Sequence, residues 1–166
     1  MAGKKTEKGE ELDRFYDLVL APQHWPRVLH DIARSVNAVG ALIATERGSM
    51  TFVGHPVSPD LSEPIDDFVA GGWHLKDFRG RRAWPAAGVG RYVQIEHDVS
   101  SEEEWRKSAY YNEWARPWDI PWWGTASFPL KNHNCGLVFL RGSSFGPLTY
   151  DKRCARSSAS ARIGAG

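Results

Sequence analysis

Cysteine is scarce in this chain. Only Cys135 and Cys154 occur in 166 residues, too few and too far apart for a disulfide framework or a Cys-based zinc site. Long apolar runs are missing too. None approaches the roughly 20 residues that span a bilayer, and the charged N-terminus MAGKKTEKGEE lacks the apolar stretch of a secretory signal. The formal net charge is only +1, so no overall field is available to hold a phosphate backbone. The histidines at 24, 30, 55, 74, 97 and 133 show no HxxxH spacing, and no GxSxG, CxxC or P-loop occurs. These absences predict a cytoplasmic protein with no membrane partner, no metal site and no cofactor.

What is present is enough globular sequence for one domain, 42% hydrophobic and 25% charged. Leu12, Phe15, Tyr16, Val19 and Leu20 keep helical spacing, as do Trp25, Val28, Leu29, Ile32, Ala33 and Val36. VGALIAT (39–45) and MTFVGH (50–55) read as a hairpin. Ser62 and Pro64 suggest the start of a helix carrying Ile65, Phe68, Val69 and Trp73, weakened near its end by Gly71-Gly72. RYVQIEHD (91–98) reads as a strand. Ser101 with Glu104 forms a capping box, and that helix should run to about Ala115, because Pro117 disfavours α geometry at Arg116. WWGTASFPL, KNHN and CGLVFLR make a long hairpin near the centre of a sheet, with Trp122, Gly124, Ala126, Phe128 and Leu130 on one face. The order α-α-β-β-α-β-α-β-β predicts an α+β domain over an antiparallel sheet. It occupies residues 10–152, between a flexible stretch (1–9) and a tail (153–166) rich in Ser, Ala, Arg and Gly that should be disordered.

The stretch YYNEWARPWDIPWWG (110–124) holds four of the eight tryptophans, Trp114, Trp118, Trp122 and Trp123. Core, the wall of a small-molecule pocket, and an exposed stacking surface are the competing explanations. Trp122 and Trp123 point to opposite strand faces, and Arg116 is the only basic residue here. A flat platform for single-stranded nucleic acid is therefore disfavoured. Core is the default and a pocket between helix and sheet is second.

The strongest polar group of residues lies in GGWHLKDFRGRR (71–82). If the helix persists, Trp73 and Asp77 stack at i and i+4, and the carboxylate with the indole N–H could fix a ligand's polar group. The plainer account is an Asp–Arg pair tying down a loop while Trp73 packs in the core. Cys135, inside an apolar strand, reads as a small core residue.

The opening LDRFYDLVLAPQHWPRVLHDIARSVNAVGALI, then GGWHLKDFRGRR, SSEEEWRKSAYYNEWARPWDIPWWG and GLVFLRGSSFGPLTYDK, together resemble the N-terminal sensor-like domain of bacterial LuxR-type helix-turn-helix regulators, over roughly residues 12–152. The resemblance implies a PAS- or GAF-like α-β-α sandwich that holds a small molecule between sheet and helices. It implies transmission to a DNA-binding helix-turn-helix, alone or through a homodimer. No such motif is present in this chain, and Asp77 stands where acyl-homoserine-lactone receptors carry a Tyr, so their ligand contacts do not transfer. A frameshift or truncation near Arg153 would account for the composition of the tail.

The expected ligand site comprises Trp73, Asp77, Tyr111, Trp114, Trp122 and Phe128, with aromatic rows meeting above Phe128 and Phe139. Two other readings compete with a sensor. One is a small cofactor-free isomerase or hydrolase using Asp77 or His97; the other is a degenerate domain that serves only in dimerisation.

Overall fold

Apolar spacing and two backbone devices define the first helix of the computed structural model, which describes residues 21–46, 56–130 and 133–150. The expected helix at 12–20, the expected strand at 50–55 and the tail from 153 lie outside the described residues. Helix α1 (Trp25–Ser35) has Pro26 in its first turn, where the missing N–H costs nothing. It closes on Asn37 at φ 54, a left-handed position that Asn tolerates. Ala38 N–H then bonds back to the Ala33 carbonyl at 2.9 Å and Asn37 N–H to that of Arg34 at 3.1 Å, which satisfies the helix's last acceptors.

Strand β1 (Gly40–Glu46) follows. The chain returns beside it at Val57, with Ser58 N–H on the Ala41 carbonyl at 2.9 Å. The remaining elements are α2 (Ser62–Ala70), α3 (Phe78–Gly88), β2 (Val93–Ile95), a single turn α4 (Glu96–Val99), α5 (Glu102–Lys107), a π-helical segment (Tyr110–Ala115), β3 (Trp122–Leu130) and β4 (His133–Arg141). The four strands form one antiparallel sheet in the order β1-β4-β3-β2. The fold is α+β, and the β3–β4 hairpin occupies the centre of the sheet as its apolar sequence predicts. Among the described residues no helix is long and apolar enough to cross a membrane.

The sheet carries helices on both faces. Leu29 and Ala33 of α1 pack with Ala38 and Ala41, joined by Ile43, Leu137 and Phe139. Against the other face, Leu42, Ala44, Trp123, Val138 and Leu140 meet Phe68 of α2, Ala83 and Trp84 of α3, and Tyr110 and Trp114 of the π segment.

Four local expectations are corrected. Helix α2 stops at Ala70 because Gly72 turns left-handed at φ 65, and Trp73–Leu75 form a separate 3-10 turn. The strand expected at 91–98 is only Val93–Ile95, and Glu96 begins a helical turn whose N-terminus Asp98 caps. The capping box at Ser101 and Glu104 is present, but Ser108 is extended at ψ 121 and divides the expected helix into α5 and the π segment. Finally, α3 forms where the sequence suggested a loop. Its start is fixed by Asp77, whose Oδ1 accepts from Arg79 N–H at 2.9 Å. Its end at Gly90, φ 90, repeats the left-handed closure of α1, with Arg91 N–H on the Ala86 carbonyl at 3.0 Å.

Candidate functional site

Strand alternation builds the floor of a partly enclosed cavity between sheet and helices. Trp123, Thr125 and Ser127 project from the same face of β3, beside Val138 and Leu140 of β4 and Leu42 and Ala44 of β1. Ile65 and Phe68 from α2, Trp84 from α3, and Tyr110 and Trp114 from the π segment form the roof and walls. The cavity volume is about 50 Å³. At about 10–15 Å³ for each water, that is room for only a few, and it is smaller than the engineered cavities of about 150 Å³ that admit benzene.

Aromatic packing shapes the interior. The Phe68 and Trp114 rings are 5.0 Å apart, Tyr110 lies 5.2 Å from Trp114, and Tyr110 meets Phe68 edge-on at 6.1 Å. Gly136 of β4 makes the wall thin under Trp84. A Cβ there would come within 2.8 Å of Thr125 Oγ1 and 3.1 Å of the Trp84 ring. A side chain at this position would displace one or both.

The polar end of the cavity is a buried ion network. The Arg79 guanidinium, 2% exposed, donates from Nε to Asp77 Oδ1 at 3.1 Å, from Nη1 to Glu96 Oε2 at 3.1 Å, and from Nη2 to the Tyr110 hydroxyl. Glu96 Oε1 accepts from Ser100 Oγ at 2.6 Å, and the Trp105 indole N–H bonds that same hydroxyl at 2.6 Å. Burial disfavours the guanidinium charge, but Asp77, Tyr110 and Glu96 outweigh it and push its pKa upward. Burial pushes the Tyr110 phenol well above its usual range, against the pull of Arg79. Tyr110 therefore stays protonated and acts as a neutral partner to the guanidinium.

Not every buried polar group is satisfied this way. Trp84 Nε1, Trp114 Nε1, Thr125 Oγ1 and Ser127 Oγ are buried without a hydrogen-bond partner, and all four residues line the cavity. Each such group costs about 1–3 kcal/mol when left unpaired, so four among the residues lining one cavity call for an explanation.

Of the six residues expected to form the site, the structure brings Asp77 and Trp114 to the cavity. Trp73 packs half-buried at the edge of the same core, with the Lys76 ammonium 4.3 Å from its ring centroid. Trp122 and Tyr111 join Trp105 in a second aromatic cluster, with centroids 5.3 and 6.3 Å from that of Trp105. Phe128 is 43% exposed, and Phe139 packs on the α1 side of the sheet. The physical reason is the hairpin's orientation: the face bearing Trp123, Thr125 and Ser127, not the one bearing Trp122 and Phe128, turns toward α2 and α3. Asp77 is a helix cap and an ion-pair partner of Arg79, which is the Asp–Arg account weighed above. His97, the alternative base, is exposed, with its ring 5.2 Å from Trp105.

Arg79, Glu96, Trp84, Thr125 and Ser127 went unrecognised as site residues in the sequence. Only alternation along β3 could have found Thr125 and Ser127, since polar residues on a buried strand face are the anomaly to look for. Of the four clustered tryptophans, Trp114 and Trp123 border the cavity, and Trp118 donates its N–H to Asp67 Oδ2 at 3.0 Å. Comparison with models of known families finds no match to the chain, and no curated protein matches it.

Proposed function

We propose that this chain is a small-molecule-sensing domain of a LuxR-type transcriptional regulator, with a PAS- or GAF-like α-β-α sandwich, rather than an enzyme. The observation that supports this reading best is an aromatic-lined cavity between sheet and helices, four of whose lining residues, Trp84, Trp114, Thr125 and Ser127, carry buried polar atoms without a partner. The layering on both sheet faces and the order of elements agree with it. Chemistry at the cavity finds less support, because Asp77 is committed to Arg79 and the start of α3. Any effect on transcription would pass through a helix-turn-helix on another segment or on a full-length partner with which the chain dimerises.

Native mass spectrometry of the purified chain, followed by a thermal-shift screen of small metabolites, tests the proposal. A ligand at a hundred times its Kd should add about 2.7 kcal/mol of stability and raise Tm saturably. Turnover of a screened compound, or the absence of any saturable shift across the screen, would overturn it. Gel-shift assays at moderate salt should give no sequence-specific DNA complex with this chain alone.

A further inference from the structure

We propose that the cavity takes a compact, uncharged molecule bearing a hydrogen-bond acceptor, such as a small ketone or amide of at most one ring, and discriminates against carboxylates, phosphates and extended acyl chains. This rests on the small-molecule reading above and adds the chemical class. The first argument is the donor inventory. The Trp84 and Trp114 indoles can only donate, while the Thr125 and Ser127 hydroxyls can donate or accept. A ligand that satisfies the indoles must therefore bring acceptors.

The second argument is charge. Arg79 is the only cation that lines the cavity, and its Nε, Nη1 and Nη2 are already engaged by Asp77, Glu96 and Tyr110. Two carboxylates against one guanidinium leave a formal excess of one negative charge. An anion entering here would meet that excess in a poorly screened interior, with no free cation to receive it. The third argument is size. A cavity of about 50 Å³ has no length for an acyl chain, and even a six-membered ring requires the walls to give. Ile65, which is only half-buried, is one wall residue with room to move. The rest of the lining, Leu42, Phe68, Val138 and Leu140, suits an apolar body.

The full chain, ¹⁵N-labelled, reports through its indole N–H resonances, with Trp84 and Trp114 assigned from Trp84→Phe and Trp114→Phe. Three probes are titrated: xenon, cyclohexanone and cyclohexanecarboxylate. Cyclohexanone should shift Trp84 or Trp114 saturably, and at least one of Thr125→Val and Ser127→Ala should weaken its Kd by about fivefold to tenfold. The carboxylate should give no saturable shift at concentrations tenfold higher. Equal or tighter binding of the carboxylate overturns the chemical class while leaving a binding cavity. Cyclohexanone binding untouched by both hydroxyl deletions, or binding of xenon alone, overturns it in the same way. No response to any probe overturns the class and the sensor reading together.

Discussion

The two faces of the sheet are built from the same four strands but are closed differently. On one side α1 lays Leu29 and Ala33 onto Ala38 and Ala41, apolar residues at 0–3% exposure. On the other side the helical layer brings four large aromatics, Phe68, Trp84, Tyr110 and Trp114, and a buried guanidinium with two carboxylates. Both the helices and β3 contribute buried polar groups with no partners, the Trp84 and Trp114 indoles and the Thr125 and Ser127 hydroxyls. The first arrangement gains stability from close packing. The second carries unsatisfied groups and a buried ion network, which are poor devices for stability alone. The contrast is between a face closed by packing alone and a face whose packing leaves polar groups to be accounted for.

Breaking the network should have the largest effect. Arg79→Met leaves the Asp77 and Glu96 carboxylates buried without their cation and should cost about 3–5 kcal/mol in urea unfolding. A loss under about 1 kcal/mol would mean that water reaches these groups and that the cavity side is not sealed. On the scaffold face, Leu29→Ala should cost about 2–5 kcal/mol through the void it leaves, without changing binding of any cavity ligand.

A smaller effect concerns alkaline pH. The Tyr110 and Tyr111 phenols are held above their usual range mainly by burial, and Tyr150 by burial and Asp98. Above about pH 10 the unfolded chain sheds phenol protons that the folded chain keeps. Stability is therefore full below that pH and falls as pH rises beyond it. Tyr110→Phe should flatten this decline in pH-dependent thermal melts; an unchanged slope would mean that Tyr110 is not the buried phenol described.

Thr125→Val sharpens the contrast from the opposite direction. Removing a buried hydroxyl without a partner should leave stability unchanged or raise it by about 1 kcal/mol, whereas destabilisation would show that the hydroxyl has a structural partner. The smallest effect belongs to the exposed rim. The Glu104 carboxyl is held down to about 2, first by Arg82 and then by Ser101, so its contribution is present above its ordinary pKa and fades as pH falls toward 2. Solvent screens it. Glu104→Gln should soften only the acid end of the stability profile.

Much of the scaffold was legible because its signals are local. The 3.6-residue stripe of α1, the alternation of the β3–β4 hairpin and the Ser101–Glu104 capping box depend on near neighbours. Helix α3 was not legible. The stretch after Asp77 shows no clean apolar stripe, yet Asp77 caps the start, and packing of Ala83, Trp84 and Ala87 carries the helix through Pro85. The site was half legible for a related reason. Composition marked Trp122 and Phe128 as the inward face, whereas Trp123, Thr125 and Ser127 turn toward the helices. Which face meets a helical layer depends on distant elements, and no short window of sequence contains that.

Gly136 has a consequence in evolutionary time. Because a single methyl group there would press on both Thr125 Oγ1 and the Trp84 ring, the position has almost no neutral alternatives. Diverging copies of this gene should drift freely at Phe128, which is substantially exposed, while holding residue 136 at glycine for as long as Trp84 is retained. A lineage that loses that glycine should show a smaller residue at 84 as well, so the two codons should change together or not at all.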